Sequence, residues 1–116
     1  MIKKYRVKRN EEFSTIISKK KSLASNSFIL YYFDNKEEHS RVGISVSKKL
    51  GNAVVRNKIK RQIRMMLANF YDFDNTKLDL IIICRKAYLD NSFLDNQNDL
   101  EKLIKKAIIK RYGQGD

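Results

Sequence analysis

Seven consecutive residues, Leu78 to Cys84 (Leu-Asp-Leu-Ile-Ile-Ile-Cys), constrain the fold more than any other stretch. The run is far too short to cross a membrane as a helix, and its three successive isoleucines favour extended backbone. A strand this apolar needs cover on both faces, which places it at the centre of a sheet. The rest of the chain has to supply its neighbours and its covering layers.

Two further strands are legible. Ser27 to Phe33 reads Ser-Phe-Ile-Leu-Tyr-Tyr-Phe, aromatic and β-branched, with Phe28, Leu30 and Tyr32 on one face and Ile29, Tyr31 and Phe33 on the other. Arg41 to Ser47 alternates strictly, with Val42, Ile44 and Val46 against Arg41, Gly43, Ser45 and Ser47. Residues 34–39 form a polar connector, so a hairpin between these two strands is the economical pairing.

Three segments carry helical periodicity. Phe13, Ile16 and Ile17 mark a short helix from Glu11 to about Lys20, with Asn10 placed to cap it. A second helix begins near Ala53, after the turn Lys48 to Asn52, with Val55, Ile59, Ile63, Met66 and Phe70 as its packing stripe. A third runs from Leu94 or Asp95 to about Arg111 on Leu100, Leu103, Ile104, Ala107 and Ile108. The expected fold is an α/β (α+β) two-layer sandwich in the order α-β-β-α-β-α. At 116 residues it is one domain, 1–116.

Charge supplies the first functional statement. The chain holds 25 Lys or Arg against 13 Asp or Glu, net +12. Residues 1–64 hold 17 basic and 5 acidic residues, whereas the remainder holds 8 of each, so the whole excess lies in the first part. Lys48 to Arg64 carries seven basic residues (Lys48, Lys49, Arg56, Lys58, Lys60, Arg61 and Arg64) and no acid. A merely soluble surface mixes both signs; a one-signed run repels itself unless a polyanion compensates it. Nucleic acid is the expected partner, and no membrane is: no apolar run reaches 18 residues and the basic N-terminus leads into no apolar segment.

Catalytic chemistry is absent from the pattern. One cysteine, Cys84, excludes an internal disulfide and a cysteine-based zinc site, and fits a reducing cytoplasm. His39 stands alone in a polar connector, and Asp72 and Asp74 sit where acids ordinarily form loops. Binding is better represented. Arg and Lys on one helix face reach phosphates. Phe13, Phe28, Tyr31, Tyr32 and Phe33 offer stacking rings for unpaired bases or else core, and Ser45 and Ser47 leave room beside them for a phosphate or base. The residues alone stop at a single domain that binds nucleic acid.

The stretch from Arg41 to Arg64 closely resembles the bacterial ribonuclease P protein component. Its signature, Arg-Asn followed by x-x-Lys-Arg-x-x-Arg, stands here as Arg56, Asn57, Lys60, Arg61 and Arg64. The basic start with Asn10-Glu11-Glu12-Phe13, the strand Phe28 to Tyr31, and the ending Ile83-Cys84-Arg85-Lys86 fall in the same family order. The resemblance implies a protein paired with a large catalytic RNA that removes the 5′ leader of precursor tRNA. It implies that Mg2+ is held mainly by the RNA, and that no protein partner is obligatory.

Carried over, the resemblance makes Lys48, Lys49, Arg56, Asn57, Lys60, Arg61 and Arg64 contacts to the catalytic RNA. Arg9, Phe13, Ile17, Phe28, Tyr31, Ser45 and Ser47 become contacts to the leader. The family often carries an aromatic where Ile17 stands, so that position implies apolar contact rather than stacking. A ribosomal protein S5 domain 2-like fold, with an extra short strand and a left-handed crossover, is implied as well. A noncatalytic ribosomal or RNA-chaperone-like protein is the alternative, and a DNA-binding regulator stands third because no tight helix-turn-helix pair is visible.

Overall fold

In the computed structural model, which describes residues 3–7, 21–35 and 38–113, the apolar strand sits inside a four-stranded sheet. The strands are β1 (Ser22–Ala24), β2 (Phe28–Asp34), β3 (Arg41–Ser45) and β4 (Leu78–Cys84), in the order β1-β2-β4-β3. Strand β4 has a partner on each edge: β2 antiparallel, with Phe28 opposite Cys84, and β3 parallel, with Val42 opposite Leu80. Its central place follows from its composition, and β1 is the extra short strand.

The expected hairpin between β2 and β3 is not formed. The connector bonds instead to the chain entering β4: Asn35 N–H donates to Lys77 O, Ser40 N–H to Phe73 O at 2.7 Å, and Ser40 Oγ–H to Leu78 O at 2.5 Å. Inserting β4 between the two strands satisfies both edges of the most apolar segment. A simple hairpin would have left β4 with one neighbour fewer and an apolar edge in water. Strand β3 also ends two residues earlier than the alternation suggests, because Ser47 turns away to cap a short 3-10 turn, Lys48–Leu50, accepting from Lys49 N–H at 3.1 Å.

Helix α1 (Ala53–Phe70) carries the chain from β3 to β4. Asn52 caps it, its side-chain oxygen accepting from Val55 N–H at 3.0 Å. Gly51 just before has φ +153°, and a β-carbon there would lie 2.8 Å from Val55 Cβ, so glycine is required twice over. Ile59, Ile63, Met66 and Leu67 are buried. Val55, expected in the stripe, is 36% exposed, while Leu67, not counted in the stripe, is fully buried.

Helix α2 (Phe93–Ile108) is capped by Ser92, with Asp95 in its first turn and Lys105 and Lys106 in its last, each favourable to the helix dipole. A π turn, Ile109–Gly113, continues it. Its Leu100, Leu103, Ile104 and Ala107 join the α1 stripe over one sheet face made of Phe28, Leu30, Tyr32, Val42, Leu80, Ile82 and Cys84. The opposite face carries a smaller cluster in which Val7 packs on the buried Ile81, with Tyr31, Phe33 and Ile83 partly exposed around it. Val7 is brought there by an added bridge: Arg6 pairs in parallel with Val42, and Val7 N–H donates to Val42 O at 3.2 Å. The helix expected over Glu11 to Lys20 lies outside the described residues.

Candidate nucleic-acid interface

Helical geometry divides the basic run of α1 into three sides. Arg56, Lys60 and Arg64 recur every fourth residue, which stacks them on one flank, and all three are half-buried. Asn57 and Arg61 are exposed, on the side away from the packed stripe. Lys58 is exposed on the other flank, beside the turn Tyr88–Asn91. Lys48 and Lys49 are exposed on the 3-10 turn just before the helix. The first turn of α1 has no acid, so the positive end of the helix dipole adds to the cations around it.

Two of these arginines stand out, one for a bond it makes and one for a bond it lacks. Arg56 Nε–H donates to Gly51 O at 3.2 Å, which aims its guanidinium along the start of the helix. Arg64 Nε is buried with no hydrogen-bond partner among the described residues. Burial, and then the neighbouring positive charge of Arg6, lowers the Arg64 pKa from its ordinary value. A partly buried guanidinium with a donor left over suits an anionic oxygen as its partner. Arg6 was not singled out from the sequence. It reads there as one more charge in a basic arm, and only the bridge to Val42 sets it beside α1.

The rings separate by strand parity. Phe28 is fully buried and meets Tyr88 edge-on at 5.7 Å between ring centres, so it belongs to the core and corrects the expectation that it faces unpaired nucleotides. Tyr32, 7% exposed on the same face, is likewise core. Tyr31 and Phe33, on the opposite face, keep part of their surface open. Ser45 shares that face, opposite Ile83 in the register and half-buried. Ser47, exposed two residues beyond the end of β3, accepts the Lys49 N–H through its hydroxyl oxygen as the cap of the 3-10 turn. Arg9, Phe13 and Ile17 lie outside the described residues.

Several other titratable groups among the described residues are engaged in structure. Asp79, 3% exposed, receives Arg41 Nε at 3.0 Å and Arg41 Nη2 at 2.6 Å, and also Asn35 Nδ2 at 2.8 Å. Asp72 accepts from the backbone and side-chain amides of Asn75 at 3.2 and 2.8 Å, and these bonds, the side-chain one foremost, hold its carboxyl below the usual range. Tyr5 donates to Asp74 at 2.5 Å, stacks at 4.6 Å on Phe73 and meets His39 edge-on at 5.4 Å, which pins the N-terminal segment to that loop. Burial pushes the Cys84 thiol up to about 12. Among the described residues, no three His, Cys, Asp or Glu side chains group to hold a metal, and no helix is long and apolar enough to cross a membrane.

A family model described as ribonuclease P matches residues 1–108. The chain is 48% identical over 99 residues to the ribonuclease P protein component of Mesoplasma florum, covering 84% of this chain and 90% of that one. With the ribonuclease P protein component of Bacillus cereus it shares 41% identity over 112 residues, 96% of this chain and 97% of the relative. Its fold superposes with a TM-score of 0.82 on a Staphylococcus aureus RNase P protein mutant described as defective in mRNA degradation activity. That pair is 46% identical, with 90% and 89% of the two chains covered.

Proposed function

Because the chain belongs to the ribonuclease P protein component family, we propose that it binds the catalytic RNA of ribonuclease P and the 5′ leader of precursor tRNA, and so assists metal-dependent removal of that leader. The observation that carries this reading is the acid-free basic surface of α1 and its preceding turn. Arg61 and Asn57 meet the RNA directly, while Arg56, Lys60, Arg64 and Arg6 form a flank for its phosphates. Guanidinium groups fork across two phosphate oxygens, and each neutralised phosphate releases condensed counterions.

The leader follows the opposite sheet face. Tyr31 and Phe33 supply ring surface beside Ile83 and Ser45, and the family resemblance adds Arg9, Phe13 and Ile17 as leader contacts. Stacking on rings tolerates base identity, which suits a substrate whose leaders differ in sequence.

The magnesium ions are assigned to the RNA subunit on the family resemblance. The protein's own part is to bind, align and screen charge. It does this in the cytoplasm and with RNA alone as its partner.

Reconstitution tests the reading. Catalytic RNA and precursor tRNA are combined at low magnesium, with and without the protein. Leader removal should rise sharply when the protein is added, and the protein alone should cut nothing. Equal cleavage with and without it would defeat the proposal and favour a noncatalytic ribosomal or RNA-chaperone-like role.

A further inference from the structure

On the flank of α1 away from Arg6 lies a groove of 290 Å³ between the helix and the turn that follows β4. It is lined by Val55, Lys58, Ile59, Gln62, Tyr88, Leu89 and Asn91. We propose that this groove receives one unpaired nucleotide of RNA, its base between the apolar walls and its phosphate on Lys58. The inference rests on α1 being an RNA-binding face.

The walls are chemically divided. Val55 and Leu89, 36% and 48% exposed, give the hollow accessible apolar surface, while Ile59 in the same lining is buried at 3%. The polar groups are held by bonds that leave part of each unused. Tyr88 OH donates to Gln62 Oε1 at 2.7 Å, which leaves the Gln62 amide NH2 with no partner among the described residues. Asn91 Nδ2 donates to Ala87 O at 2.9 Å, and its side-chain oxygen makes no bond among the described residues. A donor and an acceptor between apolar walls match the edge and the faces of a nucleobase.

Size and charge choose the occupant. The volume falls at the lower end of small-ligand pockets, of roughly 300 Å³ and above, enough for one nucleotide and too little for a helix from a protein partner. Lys58 belongs to a run of seven cations without an acid, so an anionic group is favoured at its side of the groove.

The test uses the whole chain with labelled methyl groups, titrated with each of the four nucleoside 5′-monophosphates and, separately, with inorganic phosphate. The methyls of Val55, Ile59 and Leu89 should shift saturably with at least one nucleotide and stay unmoved by phosphate. Lys58→Ala should weaken every nucleotide by about five-fold, and Leu89→Trp, which fills the hollow, should abolish the shifts. Equal shifts with phosphate, shifts only elsewhere, or unchanged affinity in Leu89→Trp would overturn the groove. The same variant separates this inference from the wider reading. If wild type and Leu89→Trp bind the catalytic RNA equally while Arg61→Ala loses affinity, the groove fails and the RNA-binding face stands. If wild type does not bind that RNA, the face itself fails.

Discussion

Arg41 closes on Asp79 with two parallel bonds, Nε to Oδ1 at 3.0 Å and Nη2 to Oδ2 at 2.6 Å, across the parallel seam of β3 and β4. The pair marks the register: Arg41 and Asp79 are directly opposite, so a slip of one residue would bury the carboxylate without its partner. With the Asp79 side chain 4% exposed, removing only the arginine leaves a buried charge. Arg41→Ala is expected to cost about 3 kcal/mol in urea unfolding, and the double variant with Asp79→Leu should recover a large part of it. Equal losses for the single and double variants would show that the pair does not hold the seam.

Gly51 links the turn to the start of α1. Its φ of +153° and the 2.8 Å approach to Val55 Cβ both exclude a side chain. Gly51→Ala should lower stability by about 1–3 kcal/mol. It should also weaken RNA binding, because the carbonyl that orients Arg56 moves with it. Thermal melts and RNA titrations on the one variant check both effects; a variant as stable as wild type would contradict the turn geometry.

Arg61 and Arg64 are expected to behave differently despite sharing a motif. Arg61 is exposed, so Arg61→Ala should leave the melting temperature unchanged and lower the salt slope of log K for RNA by about 0.7–0.9. Arg64 is partly buried beside a second cation, so Arg64→Met should raise the stability of the free protein while weakening the RNA complex. Salt-dependent titrations beside melts decide it, and a destabilised Arg64→Met would mean that the Arg6 neighbourhood tolerates the charge.

Two aromatic substitutions should part stability from substrate choice. Phe28→Ala, in the core, should cost about 3–5 kcal/mol of stability. Tyr31→Ala should cost much less, and should weaken precursor tRNA by about 1–3 kcal/mol with mature tRNA unaffected. Equal weakening of both tRNAs would take Tyr31 out of the leader's path.

Alkaline pH should destabilise the fold through Cys84. Its thiol is raised by burial from 9.0 to about 12, so the unfolded chain releases this proton first as pH rises. Folded-state stability is therefore intact below pH 9 and falls between about 9 and 12, with a slope of at most about 1.4 kcal/mol per pH unit. Burial raises the Tyr88 hydroxyl as well and acts in the same direction at higher pH. Urea unfolding at stepped pH should show a shallower fall between pH 9 and 10 for Cys84→Ala than for wild type.

The amino-acid sequence by itself determined the apolar strand at the sheet's centre, the start of α1 near Ala53, and the side of that helix left to cations. Each is a local matter of periodicity, capping and the sign of neighbouring charges. The two-faced strand Phe28 to Phe33 shows where local reading ends. Both of its faces are apolar, and parity alone does not say which is covered; packing under α1 and α2 buries Phe28 and Tyr32 and leaves Tyr31 and Phe33 partly open. Strand order was decided in the same way. Connector length favoured a hairpin, but β4 has two edges to satisfy and an apolar surface to cover, so β2 and β3 take opposite sides of it. The meeting of Arg6 with Arg64, and the groove between α1 and the Tyr88–Asn91 turn, join segments far apart in the chain. Only tertiary structure decides such juxtapositions, because no local preference encodes which distant surfaces will touch.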